Sequence, residues 1–257
     1  DHLEAAMGNG FNPMVVGCNV IIADGLKGTE FRDVEINLKH CKNAKIGSAI
    51  ADADIIISMS HFKGHEMTGF GGALKNLGME KNCVACGQCI KNCSQSAITF
   101  NENKKAVIDY DKCIGCGQCV AMCRFNAAQV VWNESADSAN EKIAEYAYAV
   151  VKNKQSFHIN FIMDVSPDCD CFSNNDIAIV PNIGIAASFD PVALDKACVD
   201  MVNSAPQIKG SILDDGNYKA GEDKFGHIHA NTDWKVGLKH GEEIGLGTEV
   251  YELIVVK

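Results

Sequence analysis

The chain has 257 residues and a mass of 27.7 kDa, enough for one large or two modest domains and enough to bury a core without disulfide staples. Apolar residues make up 47 % and charged residues 22 %, a composition that excludes a disordered or fibrous chain. A net charge of −10 excludes a general phosphate-binding surface, so no nucleic-acid partner is expected, and no apolar run approaches the ~18 residues that span a bilayer.

In chain order, the first strand candidates are "NPMVVGCNVIIAD" (12–24) and "ADADIIISMS" (51–60), short β-branched runs of the kind buried on both faces of a sheet. The stretch "HFKGHEMTGFGGALK" (61–75) follows, a glycine-rich turn with a helix expected to start near Gly72. A strand feeding such a turn is how α/β folds build anion sites, because backbone N–H groups and the helix dipole converge there. Gly69, Gly71 and Gly72 supply that backbone, Lys63 and Lys75 add positive charge, and His61 and His65 are candidates for acid, base or metal ligand. Each residue alone reads equally as a turn glycine, a solvated lysine or a satisfied histidine. Their density within fifteen positions favours a ligand site. The P-loop order G-x-x-x-x-G-K-[ST] is absent.

Next come two cysteine runs. "CVACGQCIKNCSQSAITF" (83–100) and "CIGCGQCVAMCRFNAAQV" (113–130) are one unit used twice, sharing every cysteine and the "GQC" triplet. Cys83, Cys86, Cys89 and Cys93 follow C-x2-C-x2-C-x3-C, and Cys113, Cys116, Cys119 and Cys123 repeat it. Three thiolates spaced by two residues wrap one corner of an iron-sulfur cube, while the fourth reaches the other cluster. Cluster one then takes Cys83, Cys86, Cys89 and Cys123; cluster two takes Cys113, Cys116, Cys119 and Cys93. Zinc is the competing reading, but zinc sites usually group their ligands as two separated pairs. Two [4Fe-4S] clusters are therefore expected. Residues 81–132 resemble the two-cluster bacterial ferredoxins, with one departure: the proline that commonly follows the fourth cysteine is Ser94 in one run and Arg124 in the other. Ligating thiols imply a reducing compartment, and with no signal segment opening the chain a cytoplasmic location is expected.

Beyond the cysteines, Ile143, Ala147, Val150 and Val151 mark the inward stripe of a helix over 138–153. "FHINFIMDV" (157–165), "DIAIVP" (176–181) and "EVYELIVV" (249–256) read as strands. In "SFDPVALDKACVDMVNS" (188–204), Asp190 is an N-cap, Pro191 the first helical residue, and Leu194, Cys198 and Met201 the buried stripe. Cys169 and Cys171 flank Asp170 in "PDCDCF"; with His61 or His65 they are candidates for a further metal, or else reduced bystanders in a turn. Cys18, Cys41 and Cys198 read as small packing residues, and "GHIH" (226–229) as a solvated loop.

The fold class is α/β: a mostly parallel sheet with helices, made discontinuous by an inserted α+β ferredoxin-like module. The expected domains are 1–80 and 133–257 as the two parts of the core, with 81–132 inserted.

"DHLEAAMGNGF", "IIADGLKG", "SHFKGHEMTGFGGALKNLGM", "CDC" at 169–171 and "GIAASFDPVALDKA" together resemble the domain of unknown function 362 family, in the branch with an inserted two-cluster module. The resemblance implies an iron-sulfur protein whose reaction is not established, and a longer N-terminus than the one here. More locally, His65, Gly69, Phe70, Gly71, Gly72 and Lys75 are similar in order to the nickel-pincer lactate racemase loop. There the histidine shuttles a proton and the lysine holds the cofactor. Both families imply a further segment ending in histidine after "NLGM", where here Glu80 leads almost directly to Cys83, so racemase activity does not carry over.

Three functions follow as expectations. The leading one is an oxidoreductase or electron-transfer protein serving a small-molecule ligand at Lys63, His65 and Lys75. The others are a ferredoxin-like relay to a partner protein, and a non-redox binder whose clusters are structural.

Overall fold

The computed structural model describes residues 2–26, 28–77, 82–83, 96–100, 106–108, 128–129, 135–170, 172 and 174–256. The chain divides into two compact units. One comprises Asp1–Val34, Lys45–Ala53 and Glu80–Trp132; the other comprises Glu35–Ala44, Asp54–Met79 and Asn133–Lys257.

In the first unit, α1 (His2–Gly8) is followed by α2 (Pro13–Val16), where a strand was expected. The local chemistry explains the difference. Asn12 caps the turn by accepting from Met14 N, Pro13 presets the first helical φ, and Gly17 ends it at φ 75°, which outweighs the β propensity of two valines. Cys18, exposed just after this turn, is therefore not a packing residue of a strand. β1 (Phe31–Glu35) and β2 (Asn43–Gly47) form a two-stranded sheet that leads into α3 (Ser48–Ala51). Cys41, in the connection between these two strands, belongs to the second unit and is partly buried.

The second unit holds a three-stranded sheet. Its strands are β3 (Ile55–His61), β10 (Gln155–Ile162) and β11 (Gly184–Ser188), in the order β11-β10-β3. β3 and β10 run parallel, in register from Gln155↔Ile55 to Phe161↔His61, whereas β10 and β11 are antiparallel. The sheet is thus mixed, where a mostly parallel one was expected. "DIAIVP" is buried at Ile179 and Val180 but joins no strand ladder; Ile179 N donates instead to Val165 O. "EVYELIVV" forms no strand either, and its apolar side chains are exposed. β11 was not expected, because "GIAAS" carries only one β-branched residue.

After β3 the chain folds back as a hairpin of β4 (Lys63–His65) and β5 (Gly69–Gly71), paired Lys63↔Gly71, Gly64↔Phe70 and His65↔Gly69. It then makes a 3-10 turn at Lys75–Leu77, where a helix starting near Gly72 was expected. Four further short strands, in two antiparallel pairs, are described between 82 and 129: β6 (Asn82–Cys83) with β9 (Ala128–Gln129), and β7 (Ile98–Phe100) with β8 (Ala106–Ile108).

α4 (Ala136–Val151) starts at Ser135, whose hydroxyl accepts from Ser138 N, and buries Ala147 and Val150 of the expected stripe. α5 (Pro191–Ser204) starts as its sequence dictates: Asp190 Oδ1 accepts from Val192 N and Ala193 N, each at 2.9 Å. Leu194 and Cys198 are buried and Met201 packs beside them. α5 lies on β10, and α4 packs against the 3-10 turn and against α7 (Lys235–Glu243), which follows the short α6 (Lys224–Ile228). The core between these elements centres on Phe62, stacked on Phe70 at 5.1 Å, with Phe225 and Trp234 edge-on to this pair. Phe62 and Phe70 flank the charged residues of the hairpin, so aromatic burial fixes the backbone from which those residues project. Among the described residues no helix is long and apolar enough to cross a membrane.

Candidate functional site

Parallel β3 and β10 end at the same edge of the sheet, the position where open α/β sheets place their ligands. The segments leaving both strands meet there. His61, the last residue of β3, contacts Asp170 through Nδ1 at 2.9 Å and Met163 O through Nε2 at 2.8 Å. Lys63 Nζ donates to His61 O at 2.9 Å and pairs with Asp170 at 3.1 Å. Burial raises the Asp170 carboxyl, but the hydrogen bonds from His61 and Lys63 outweigh it and leave the group below its usual range.

Lys75 Nζ donates to the sulfur of Cys169 at 3.2 Å. A Cβ on Gly71 would lie 2.9 Å from Lys75 Cδ and 3.7 Å from Lys63 Cε, so both lysine stems cross over this glycine. The far side of Lys75 borders a cavity of about 20 Å³ walled by Phe70, Leu74, Ile143, Trp234 and Leu238, with room for about one water.

His65 is only 3 % exposed. Its Nδ1 accepts from Met67 N at 3.1 Å and Thr68 N at 3.2 Å, so the ring acts as the cap of its own turn and the imidazole hydrogen is left on Nε2. Burial, reinforced by Lys75, His229 and Lys63, pushes its pKa down to about 3. In this arrangement His65 is a hydrogen-bond donor. To act as a base at Nε2 it would need a proton on Nδ1, which faces two N–H donors.

Two backbone amides of the loop where an anion site was expected are bound from within the protein. Asp195, fully buried on α5, takes Ala73 N at 2.8 Å on Oδ1 and Leu74 N at 3.0 Å on Oδ2, while Asn160 Nδ2 donates to Oδ1 at 2.7 Å. The amides that a helix N-terminus would offer to a ligand are occupied from within the protein. Burial raises the Asp195 carboxyl to about 6 against the opposing pull of those three donors. Gly69 serves the turn, at φ 80°.

Sequence reasoning singled out His61, Lys63, His65, Lys75 and Cys169, and the structure brings all five to this edge. It missed Asp170 as their counter-charge, Asp195 and His229. Asp195 had a readable signal, a carboxylate inside the first turns of a helix that was otherwise apolar on its inner face. His229, read as part of a solvated loop, follows α6 and contacts Pro167 O at 2.8 Å. Cys83 lies in β6; Cys86, Cys89, Cys93, Cys113, Cys116, Cys119, Cys123 and Cys171 lie outside the described residues. Among the described residues no group of three or more histidine, cysteine or acidic side chains is arranged to hold a metal ion.

No curated protein and no solved structure matches the chain. Residues 1–200 match a protein family described as a domain of unknown function, DUF362. That match spans well over half of the sequence, and the chain belongs to the DUF362 family.

Proposed function

We propose that this is an iron-sulfur protein that carries two [4Fe-4S] clusters on its tandem cysteine quartets and moves electrons to or from a ligand held by Lys63, His65 and Lys75. The observation that carries the reading is the pair of C-x2-C-x2-C-x3-C runs, eight thiol donors in the spacing that suits cubane corners. Cys83, Cys86, Cys89 and Cys123 would hold one cluster, and Cys113, Cys116, Cys119 and Cys93 the other.

The short strands are in keeping with this. The offset that carries Cys83 onto Cys113 also carries Ile98 and Thr99 of β7 onto Ala128 and Gln129 of β9, so the repeat extends from the cysteines to the strands that follow them. β6 pairing with β9 brings the two ends of the segment side by side, as an inserted module requires. When bound, the clusters supply one-electron transfer.

The chain's own residues do the rest. The stems of Lys63 and Lys75 cross over Gly71, Asp170 holds Lys63 and His61 in place, and His65 offers an N–H from a largely buried ring. The likeness of this loop to the lactate racemase loop supports a ligand role for His65 and Lys75; the reaction is proposed as electron transfer, not racemisation.

The test uses anaerobic protein reduced with dithionite and mixed with the small-molecule fraction of a cell extract, with reoxidation followed at ~400 nm. Lys75→Met is expected to slow reoxidation at least tenfold with iron content unchanged. An unchanged rate favours the relay to a partner protein.

A further inference from the structure

We propose that the ligand of this site is a small carboxylate or other oxyanion, and that His65 meets it as a hydrogen-bond donor through Nε2–H. This rests on the reading of the same pocket as a ligand site and names the chemistry it selects.

Three observations converge. First, Ala73 N and Leu74 N are bound by Asp195, which leaves the side chains of the loop as its charged recognition groups. Second, His65 is more than nine-tenths buried, its Nδ1 is engaged by two backbone donors, and no described group accepts from Nε2. The buried side-chain atoms without a partner among the described residues are Ser60 Oγ and Asn160 Oδ1, so Nε2 is the accessible end of the ring and its hydrogen is open to an incoming oxygen. Third, Lys63 and His65 alternate along β4 and so project from one face of the hairpin, while Lys75 shares the surface of Gly71 with Lys63.

The acceptors already present are committed to other donors. Asp170 serves His61 and Lys63, Cys169 Sγ serves Lys75, and Asp168 lies 3.7 Å from His229. His65 is the donor left over, beside two ammonium groups. A cationic ligand would meet repulsion here. A neutral apolar one would leave the Nε2–H without an acceptor.

The experiment uses the full chain, purified anaerobically with its clusters kept oxidised and its histidines labelled with ¹⁵N. Acetate and sulfate are titrated at constant ionic strength while the His65 Nε2 resonance is followed by NMR; tetramethylammonium is the cation control. Saturable movement of Nε2 with acetate, with sulfate or with both is expected. A response to acetate alone assigns the carboxylate class, and a response to sulfate alone the tetrahedral oxyanion class. His65→Asn keeps an oxygen for Met67 N and Thr68 N, but its remaining donor, Nδ2, stops short of the position of the imidazole Nε2, and binding should weaken at least tenfold. Lys63→Met serves the same purpose should the asparagine variant not fold. Movement that never saturates, or that tetramethylammonium reproduces, overturns the proposal.

No electron transfer is needed for this readout. Anion binding without any ligand-dependent reoxidation keeps this inference and removes the redox reading. Ligand-dependent reoxidation without anion binding does the reverse.

Discussion

The carboxylate of Asp195 fills the space that a side chain on Gly72 would need: a Cβ there would lie 2.3 Å from Oδ1. The same carboxylate binds the next two backbone amides, so the loop and α5 are joined by one buried group. Gly72→Ala must push Asp195 off Ala73 N or deform the loop. A loss of about 2–4 kcal/mol in urea unfolding is expected. Combined with Asp195→Ala, the two losses should add to clearly less than their sum, because the clash is already gone. Full additivity would mean that the two residues do not constrain each other.

Lys75 and Cys169 give a second expectation. An ammonium against a sulfur favours the thiolate, the form that alkylating reagents attack. Alkylation of Cys169 by iodoacetamide, followed by peptide mass spectrometry, should slow by about three- to tenfold in Lys75→Met. An equal rate in both proteins would show that the contact does not govern the thiol.

The pH dependence of stability gives a third. His65 has a folded pKa of about 3 against an ordinary value of 6.5, so the unfolded chain takes up the proton first. Its contribution is complete above pH 6.5 and is lost as pH falls toward 3, up to about 5 kcal/mol. Asp195 has the opposite sign. Its pKa is raised from 3.8 to about 6, so its contribution is present below pH 3.8 and lost as pH rises through 6. The two slopes oppose each other between about pH 4 and 6. In His65→Asn only the Asp195 slope remains, and the acid loss between pH 7 and 4 should shrink by about 3 kcal/mol in chemical denaturation. An acid slope identical to that of the parent protein would show that His65 does not titrate from a buried position.

Much of the second unit was legible in the sequence because its signals are local. Ile55, Ile56 and Ile57 mark β3, and Asp190 with Pro191 marks the start of α5. The cationic residues of the loop were equally visible. What could not be read was how the loop is held. Its glycines looked like the cradle of an anion site, but Gly72 is small because Asp195, more than a hundred residues away in sequence, sits against it. Asp170 likewise joins His61 and Lys63 only through the parallel pairing of β3 and β10. The misread strand at 12–24 had a different cause: Asn12, Pro13 and Gly17 carry capping chemistry that outweighs two valines.

The most direct measurement is the metal and sulfide content of anaerobically purified protein, with the ~400 nm absorption recorded before and after dithionite. About eight iron and eight inorganic sulfide per chain, with absorption that bleaches on reduction, is the expected result. Zinc in place of iron, or iron-sulfur absorption that dithionite leaves unchanged, would contradict it.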